Sequence, residues 1–206
     1  MPKIDYFFSN VSPNVYLAAM RLEEIAAQHG AEIDYRPLDT LVLFDRTGGV
    51  RPAERHENRK AYRLQELRRN AAQNGLPINL QPAHWPTNGA PAAYAVIAAQ
   101  AANRAGKAEG DVGALVFGLT RACWAEERDV AEDAVIRECL AAAGFDPALA
   151  DSGLLSGAET YAANLEEAVT RGVFGVPFYI VTEDDERFWG QDRLAGLAAH
   201  LATRAG

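Results

Sequence analysis

Apolar residues follow two different spacings at the start of the chain. Residues 3–9 (KIDYFFS) are rich in aromatic and branched side chains, which is typical of a short β-strand. The dipeptide Ser12-Pro13 is a strong helix-start signal, and apolar residues then recur every three or four positions until Gly30. Residues 32–37 predict a second strand. A right-handed crossover would make the two strands parallel, so the pattern predicts a β-α-β opening.

The centre of the chain has the apolar spacing of helices, and its end returns to strands. The predicted helices cover 51–74, 92–105, 111–124, 131–143 and 158–171, with a proline-rich loop over 77–91. Residues 178–182 and 187–189 predict a hairpin, and a last helix is expected from Asp192. A block of helices between two α/β pieces suggests an insertion into one sheet domain, although the pattern alone does not decide this.

The charge of the chain argues against a nucleic-acid partner. Its 206 residues carry a formal net charge of −8, whereas a polyanion needs a basic footprint. The arginine-rich run over 51–69 contains interleaved glutamates and is interpreted as a solvated helix face. We expect a cytoplasmic protein without a membrane partner, because neither a signal peptide nor an apolar stretch of spanning length is found.

The cysteines and histidines do not suggest a redox centre or a metal site. Cys123 and Cys139 form no CxxC pair, so buried structural thiols are expected. The four histidines lack metal-ligand spacing. Dithiol exchange is therefore the least favoured chemistry.

Ser12 is the first candidate for function. It lies at the start of a predicted helix, where free backbone N–H groups and the positive end of the helix dipole stabilise an anion such as a thiolate. The alternative is that its hydroxyl only caps the helix.

Two segments near the end of the chain are further candidates. A cis bond before Pro177, in the FGVPF segment, would leave the backbone of Val176 free to pair with a peptide-like ligand. An ordinary trans turn is the alternative. In the segment 188–194 (FWGQDRL), Gln191 and Asp192 fall at a helix start, where capping is again the alternative.

Four strings of the sequence together resemble one protein family. They are SPNVYLA (12–18), RACWAEERD (121–129), RGVFGVP (171–177) and WGQDRL (189–194). They are similar to 2-hydroxychromene-2-carboxylate isomerases and kappa-class glutathione transferases, in the DsbA-like branch of the thioredoxin superfamily. The resemblance covers nearly the whole chain and implies an α/β, thioredoxin-like fold with an inserted all-helical domain. Residues 1–40 and 172–206 would form the thioredoxin-like domain and 41–171 the insertion, and relatives suggest a homodimer.

By this resemblance the cofactor is glutathione. Ser12 stands in the first position of the motif that reads CxxC in redox relatives, and it would be the catalytic residue that binds the glutathione sulfur as a thiolate. Val176, before a cis Pro177, would pair with the cysteinyl backbone. The γ-glutamyl end would be held by Trp189, Gly190, Gln191 and Asp192, with Asp192 near the ammonium group.

The reaction implied is isomerisation of 2-hydroxychromene-2-carboxylate, or of a similar aromatic or conjugated acid, through a transient glutathione thioether. Arg55 is a candidate for pairing with the substrate carboxylate and Trp85 for stacking on its ring. The alternatives are an exposed helix arginine and a core tryptophan.

The sequence departs from the family in three places. The lysine common after the second strand is absent from the stretch 43–45 (LFD), and Gly48-Gly49 stands where an asparagine is common. Asn10 replaces a more usual apolar or aromatic residue. A kappa-like transferase or peroxidase, and a non-catalytic protein that binds thiols or peptides, therefore stay open as alternatives.

Overall fold

A four-stranded sheet and ten α-helices make up residues 1–204, which are the residues that the computed structural model describes. The strands are β1 (Lys3–Phe8), β2 (Glu32–Pro37), β3 (Phe178–Val181) and β4 (Glu186–Trp189). The helices are α1 (Pro13–Ala18), α2 (Arg21–His29), α3 (Thr40–Thr47), α4 (Glu57–Gln73), α5 (Ala90–Arg104), α6 (Val112–Ala125), α7 (Asp133–Ala142), α8 (Leu149–Ser152), α9 (Leu154–Thr170) and α10 (Leu194–Ala202). Short 3-10 turns cover Pro52–Glu54 and Gln191–Arg193. Within the described part of the chain, no helix is both long and apolar enough to cross a membrane.

The sheet has the strand order β2-β1-β3-β4. β1 runs parallel to β2 and antiparallel to β3, and β3 and β4 form an antiparallel hairpin. Tyr6 at the centre of β1 lies opposite both Tyr35 and Tyr179. The predicted β-α-β opening and the predicted hairpin are therefore confirmed.

The sheet separates two hydrophobic clusters, because alternate residues of a strand point to opposite faces. Tyr6 and Tyr179 belong to the larger cluster, which continues into α1, α5, α6 and α7. Phe7 and Ile180 belong to the smaller cluster, which α9 and the fully buried Leu43 of α3 complete. Both faces of the central strands are thus covered by helices.

The first predicted helix is interrupted after Ala18 and continues as α2. Ala19, between the two helices, has a φ of 50°. Arg21 donates from Nε to the Ala18 carbonyl at 3.1 Å and from Nη2 to the Leu17 carbonyl at 2.8 Å. Asn74 Nδ2 also donates to the Leu17 carbonyl, at 3.0 Å. Because Asn74 comes from a distant part of the chain, local apolar spacing could not predict this break.

The other differences from the predicted helices lie in the helical block. The apolar spacing predicts neither α3 nor α8, and it places the start of α9 four residues after Leu154. The helix predicted over 51–74 begins only at Glu57, after a 3-10 turn. Asp39 caps α3, and its side chain accepts a hydrogen bond from the Leu41 amide at 2.8 Å. Because Asp is a preferred N-cap residue, this helix start could have been predicted from the sequence.

The helical block packs directly on the sheet. Gln100 of α5 accepts a hydrogen bond from the Tyr35 amide at 2.8 Å and donates one to the Tyr35 carbonyl at 3.1 Å. These bonds satisfy the free backbone groups of β2, an edge strand. The larger hydrophobic cluster also runs from β1 into the helices without interruption. The division into 1–40 with 172–206 and 41–171 stays a prediction.

A buried acid of β1 joins the sheet to α9. Asp5 is 1% exposed and accepts hydrogen bonds from Arg36 Nε, at 3.0 Å, and from Arg171. Arg36 also donates to Glu167 of α9 at 2.5 Å and pairs with Asp34 at 2.9 Å. Removing one partner of such a buried pair typically costs about 3–5 kcal/mol. The network therefore fastens β1, β2 and α9 to one another.

Glu23 of α2 is a second buried acid, and it lacks a basic partner among residues 1–204. Its Oε1 accepts a hydrogen bond from the Tyr35 hydroxyl at 3.0 Å, while its Oε2 is buried without a hydrogen-bond partner. Burial, together with the nearby charges of Asp111 and Glu24, raises the pKa of Glu23 from 4.5 to about 7. The folded protein therefore holds a proton here that the unfolded chain releases.

We expect Glu23→Gln to change how stability depends on pH. Glu23 favours folding below pH 4.5, and this contribution is lost as the pH rises to about 7, where the carboxylate ionises in a buried place. Glu23→Gln should be nearly neutral at about pH 4 and stabilising at about pH 9, by on the order of 3 kcal/mol, since one pKa unit corresponds to about 1.4 kcal/mol.

Urea unfolding at both pH values measures this effect. Glu159→Gln, at an exposed position of α9, is the matched control and should show no such difference. An equal effect of Glu23→Gln at the two pH values would contradict the assignment.

Candidate active site

Four of the residues predicted for function line one cavity. Ser12, Arg55, Trp85 and Val176 all contribute to a cavity of about 330 Å³, which lies between the turn after β1 and the helical block. These residues are far apart in the sequence, and the fold brings them together. The cavity is also lined by Arg63, which the sequence analysis did not single out.

Ser12 begins α1 but does not cap it. Its backbone is extended, with φ −87° and ψ 125°, and Pro13 occupies the first turn as predicted. Its carbonyl oxygen accepts the first helical hydrogen bonds, while its hydroxyl makes no capping bond. Of the two interpretations of Ser12, capping is therefore wrong. The hydroxyl is available to the cavity.

The residue before Ser12 is held by two tryptophans. The Val11 carbonyl accepts hydrogen bonds from Trp85 Nε1 at 3.1 Å and from Trp124 Nε1 at 3.3 Å. The two indole rings lie 5.5 Å apart between centroids. Trp124 is fully buried, whereas Trp85 packs on the core and also lines the cavity. Both interpretations of Trp85, core packing and an aromatic wall of the site, are thus compatible with its position.

Arg55 is not the exposed helix arginine of the alternative interpretation. It follows the 3-10 turn that ends at Glu54, and it is half-buried. Its Nε donates to the Val50 carbonyl at 3.0 Å, and its guanidinium lies 5.7 Å from the centre of the Phe44 ring. Burial lowers the pKa of Arg55, and the nearby charge of Arg59 lowers it further.

Arg63 of α4 is a functional candidate that the sequence analysis missed. Its guanidinium lies 5.1 Å from the centre of the Trp85 ring and 5.7 Å from that of Trp124, which is cation–π geometry. Burial lowers the pKa of Arg63, and the charge of Arg55 lowers it further. The arginine-rich run was interpreted as a solvated face, and for Arg63 this is wrong. The Trp85 loop covers this part of α4.

The bond between Val176 and Pro177 is cis, as one of the two interpretations of FGVPF had it. Val176 is buried and lines the cavity. The Pro177 carbonyl accepts a hydrogen bond from the Gly190 amide at 2.9 Å. The segment that begins at Trp189 is thereby tied to the same turn as Val176.

The residues from Trp189 to Asp192 do not line the cavity, and they lie beyond this turn. Trp189 is half-exposed and packs edge-to-face on Phe174, at 4.8 Å between ring centroids. Gly190 has a φ of 108°, and a Cβ there would lie 2.5 Å from Asp192 Oδ1. Asp192 itself is exposed and accepts a hydrogen bond from Arg193 at 2.7 Å.

Gln191 differs from its neighbours because its side chain is buried. Its Oε1 accepts a hydrogen bond from Arg21 Nη2 at 2.5 Å. Arg21 is the side chain that also binds the end of α1. Gln191 thus connects the 189–192 segment to the helix that begins at Ser12.

The two cysteines are buried, as expected, and they are free thiols. Burial raises the pKa of Cys123 to about 12 and that of Cys139 to about 11. Both thiols stay protonated near neutral pH, and neither lines the cavity described above.

Comparison of the sequence with known proteins identifies its family. Residues 3–202 match the family model of the DSBA-like thioredoxin domain. A 2-hydroxychromene-2-carboxylate isomerase from Pseudomonas putida is 31% identical over 206 residues, covering 96% of this chain and 93% of its own. The isomerase of the same name from Sphingobium xenophagum is 29% identical over 201 residues, covering 96% and 97%.

A solved structure gives the same result in three dimensions. The structure of a 2-hydroxychromene-2-carboxylate isomerase matches with a TM-score of 0.78 at 25% identity, covering 98% of this chain and 95% of that one. The predicted α/β, thioredoxin-like fold is therefore confirmed. The chain belongs to the DsbA-like thioredoxin family and, within it, to the family of 2-hydroxychromene-2-carboxylate isomerases.

Proposed function

We propose that this protein is a glutathione-dependent isomerase of 2-hydroxychromene-2-carboxylate or of a similar aromatic or conjugated acid. One observation carries the proposal: Ser12, whose hydroxyl makes no capping bond, lines a cavity to which Arg55, Trp85 and Val176 also contribute. The relatives that match almost the entire chain are named as isomerases, which supports the same reaction class.

The residues around the cavity fit glutathione. Val176 lines the cavity, and Pro177 is hydrogen-bonded to Gly190, so a peptide ligand with its sulfur at Ser12 would follow this turn towards Asp192. The Asp192 carboxylate is exposed and suits an ammonium group. Trp189 would form part of the same wall. Gln191 would act indirectly, by holding the segment in place through Arg21.

Glutathione, when bound, supplies a thiolate nucleophile that adds to the conjugated substrate and later leaves it. In this proposal the Ser12 hydroxyl donates a hydrogen bond to the sulfur and favours its anionic form. Because α1 has only six residues, the hydroxyl matters more than the helix dipole. Arg55 binds the substrate carboxylate, and Trp85 stacks on the ring.

The departures from the family pattern have physical counterparts in the cavity. Where a lysine is common, Leu43 is fully buried, Phe44 lines the cavity and Asp45 is paired with Arg51. The guanidinium of Arg55 lies over Phe44 and brings a positive charge to this wall. Gly48-Gly49 stands where the family commonly has an asparagine, and a Cβ at Gly49 would lie 2.4 Å from the Phe44 ring. The glycine thus lets this ring approach the backbone.

A kappa-like glutathione transferase or peroxidase is the second candidate. The missing lysine and asparagine favour it, because they remove groups common in the isomerases. It would use the same Ser12 site but would keep the sulfur on the product. A non-catalytic thiol- or peptide-binding protein is the third candidate, and it would have no use for a half-buried Arg55 that lacks an acidic partner among residues 1–204.

We expect Ser12→Ala to weaken the reaction more than it weakens glutathione binding. Loss of one hydrogen bond to an anionic sulfur should lower kcat/KM by about tenfold to a hundredfold and raise the pKa of the bound thiol. The ultraviolet absorbance of the thiolate, followed against pH, measures that pKa. Ser152→Ala, at an exposed position, is the matched control. If Ser12→Ala changed neither the pKa of the bound glutathione thiol nor kcat/KM, the non-catalytic binding protein would be the better candidate.

We expect Asp192→Asn to weaken glutathione binding by about twofold to fivefold, because an exposed charge pair contributes at most about 1 kcal/mol. Isothermal titration calorimetry with glutathione measures the change. Glu24→Gln removes one charge from an exposed position elsewhere and should bind as the wild type does. Equal binding by Asp192→Asn and wild type, or no binding by either, would show that the site is assigned wrongly.

Addition of chromene carboxylate with glutathione separates the candidate activities. An isomerase changes the substrate absorbance, yields a product of unchanged mass and leaves the glutathione concentration constant. A transferase consumes one glutathione per product and forms a thioether. If neither product forms while glutathione binds, the enzyme proposal for this acid is wrong.

A further inference from the structure

Arg55 and Arg63 are two cationic side chains without an acidic partner. Within residues 1–204, neither guanidinium has an Asp or Glu oxygen within 4.0 Å, and no acid contributes to the pKa of either one. Arg36 and Arg171, by contrast, are each paired with the buried Asp5. Exposed arginines are hydrated and need no partner, but Arg55 and Arg63 are half-buried.

Each guanidinium has its own aromatic support. Arg55 lies over Phe44, and Arg63 lies over Trp85 and Trp124. Arg55 Nε donates a hydrogen bond to the Val50 carbonyl, so the two terminal nitrogens of the guanidinium can donate to another acceptor. The two charges are close enough that Arg55 lowers the pKa of Arg63. Two cations, each supported by its own aromatic ring, therefore lie next to each other. Holding them half-buried costs free energy, which bound anions would offset.

The two arginines also stand between two cavities. A second cavity, of about 570 Å³, shares Arg55, Arg63 and Trp85 with the first. Its other cations are already paired, Arg51 with Asp45 and Lys60 with Glu57. The remaining wall includes the apolar residues Leu64, Leu80 and Pro82. Asp39 lines the first cavity and Glu54 the second, and the charges of both raise the pKa of Arg51. Among the described residues, the cations of the two cavities that no acid offsets are therefore Arg55 and Arg63, at the junction.

We propose that Arg63 recognises a second acidic group beside the one that Arg55 binds, so that the natural substrate is a conjugated diacid that extends from the Ser12 cavity into the second cavity. One acidic group binds each guanidinium, and the planar body lies along Trp85, which lines both cavities. This inference rests on the proposed function for the reaction, but the diacid preference can be measured without turnover. Arg63 is then a specificity-determining residue.

Binding of unreactive probes tests the preference. The three benzenedicarboxylates, each compared with its own monomethyl ester, differ by one negative charge at nearly constant size. At least one diacid should bind about tenfold tighter than its ester, because only the diacid places a second carboxylate against a guanidinium in a desolvated site. Titration calorimetry measures both dissociation constants. Equal affinities of diacid and ester in the wild-type protein for all three isomers would overturn the proposal.

Variants assign the preference to Arg63. Arg63→Met keeps an unbranched apolar stem over the tryptophans, and it should lower the ratio of the two affinities to about one. Arg63→Lys, which keeps the charge, should retain part of it. Arg68→Met, at an exposed position of α4, is the matched control and should keep the wild-type ratio. A wild-type ratio in folded Arg63→Met would contradict the assignment.

Glutathione titration of the same proteins separates this inference from the proposed function. We expect glutathione to bind Arg63→Met as it binds the wild type. If the wild type prefers the diacid and does not bind glutathione, the proposed function fails and the diacid site stands. If Arg63→Met does not fold, the comparison of diacid and ester in the wild type still decides the question.

Discussion

The candidate site depends on one backbone carbonyl that accepts two indole hydrogen bonds. The Val11 carbonyl receives Trp85 Nε1 from the proline-rich loop and Trp124 Nε1 from α6. The next residue is Ser12, so these two bonds fix the turn that presents its hydroxyl. They also join the sheet to the helical block, because β1 leads into this turn and both tryptophans come from the block. Trp85 also lines the cavity to which Ser12 and Arg63 contribute, so the same bond fixes part of its wall.

Two groups of charged side chains have different roles in this protein, one structural and one at the cavities. Asp5, Arg36 and Arg171 form paired, buried contacts that fasten strands and α9 together. Arg55 and Arg63 are half-buried and unpaired within the described residues, and they open onto two cavities. Paired charges contribute to the frame, whereas unpaired charges near a cavity leave free hydrogen-bonding capacity for an anion. This contrast supports the proposed enzyme for an acid substrate over the alternative of a non-catalytic thiol binder.

Much of the fold and part of the site were predictable from local patterns. Aromatic and branched runs indicated the strands, Ser12-Pro13 indicated the start of α1, and glycines indicated several helix ends. Arg63 was not predictable, because it belongs to an arginine-rich run in which the other arginines of α4, Arg59, Arg68 and Arg69, are exposed. It is desolvated only when the 77–91 loop folds Trp85 over α4. The interruption of the first helix likewise needs Asn74, more than fifty residues away.

The amino-acid sequence by itself determined the order of strands and helices, the absence of a CxxC pair and the family to which the motifs point. The order of elements follows from side-chain spacing and turn chemistry, which act over a few residues, and the family follows from the resemblance of four short strings. Only the tertiary structure decided that the Ser12 hydroxyl makes no capping bond, that Asp192 lies outside the cavity, and that Arg55 and Arg63 have no acidic partner among residues 1–204. Whether a polar group forms a hydrogen bond or an ion pair depends on side chains from distant segments of the chain. Only folding brings those side chains into contact with it.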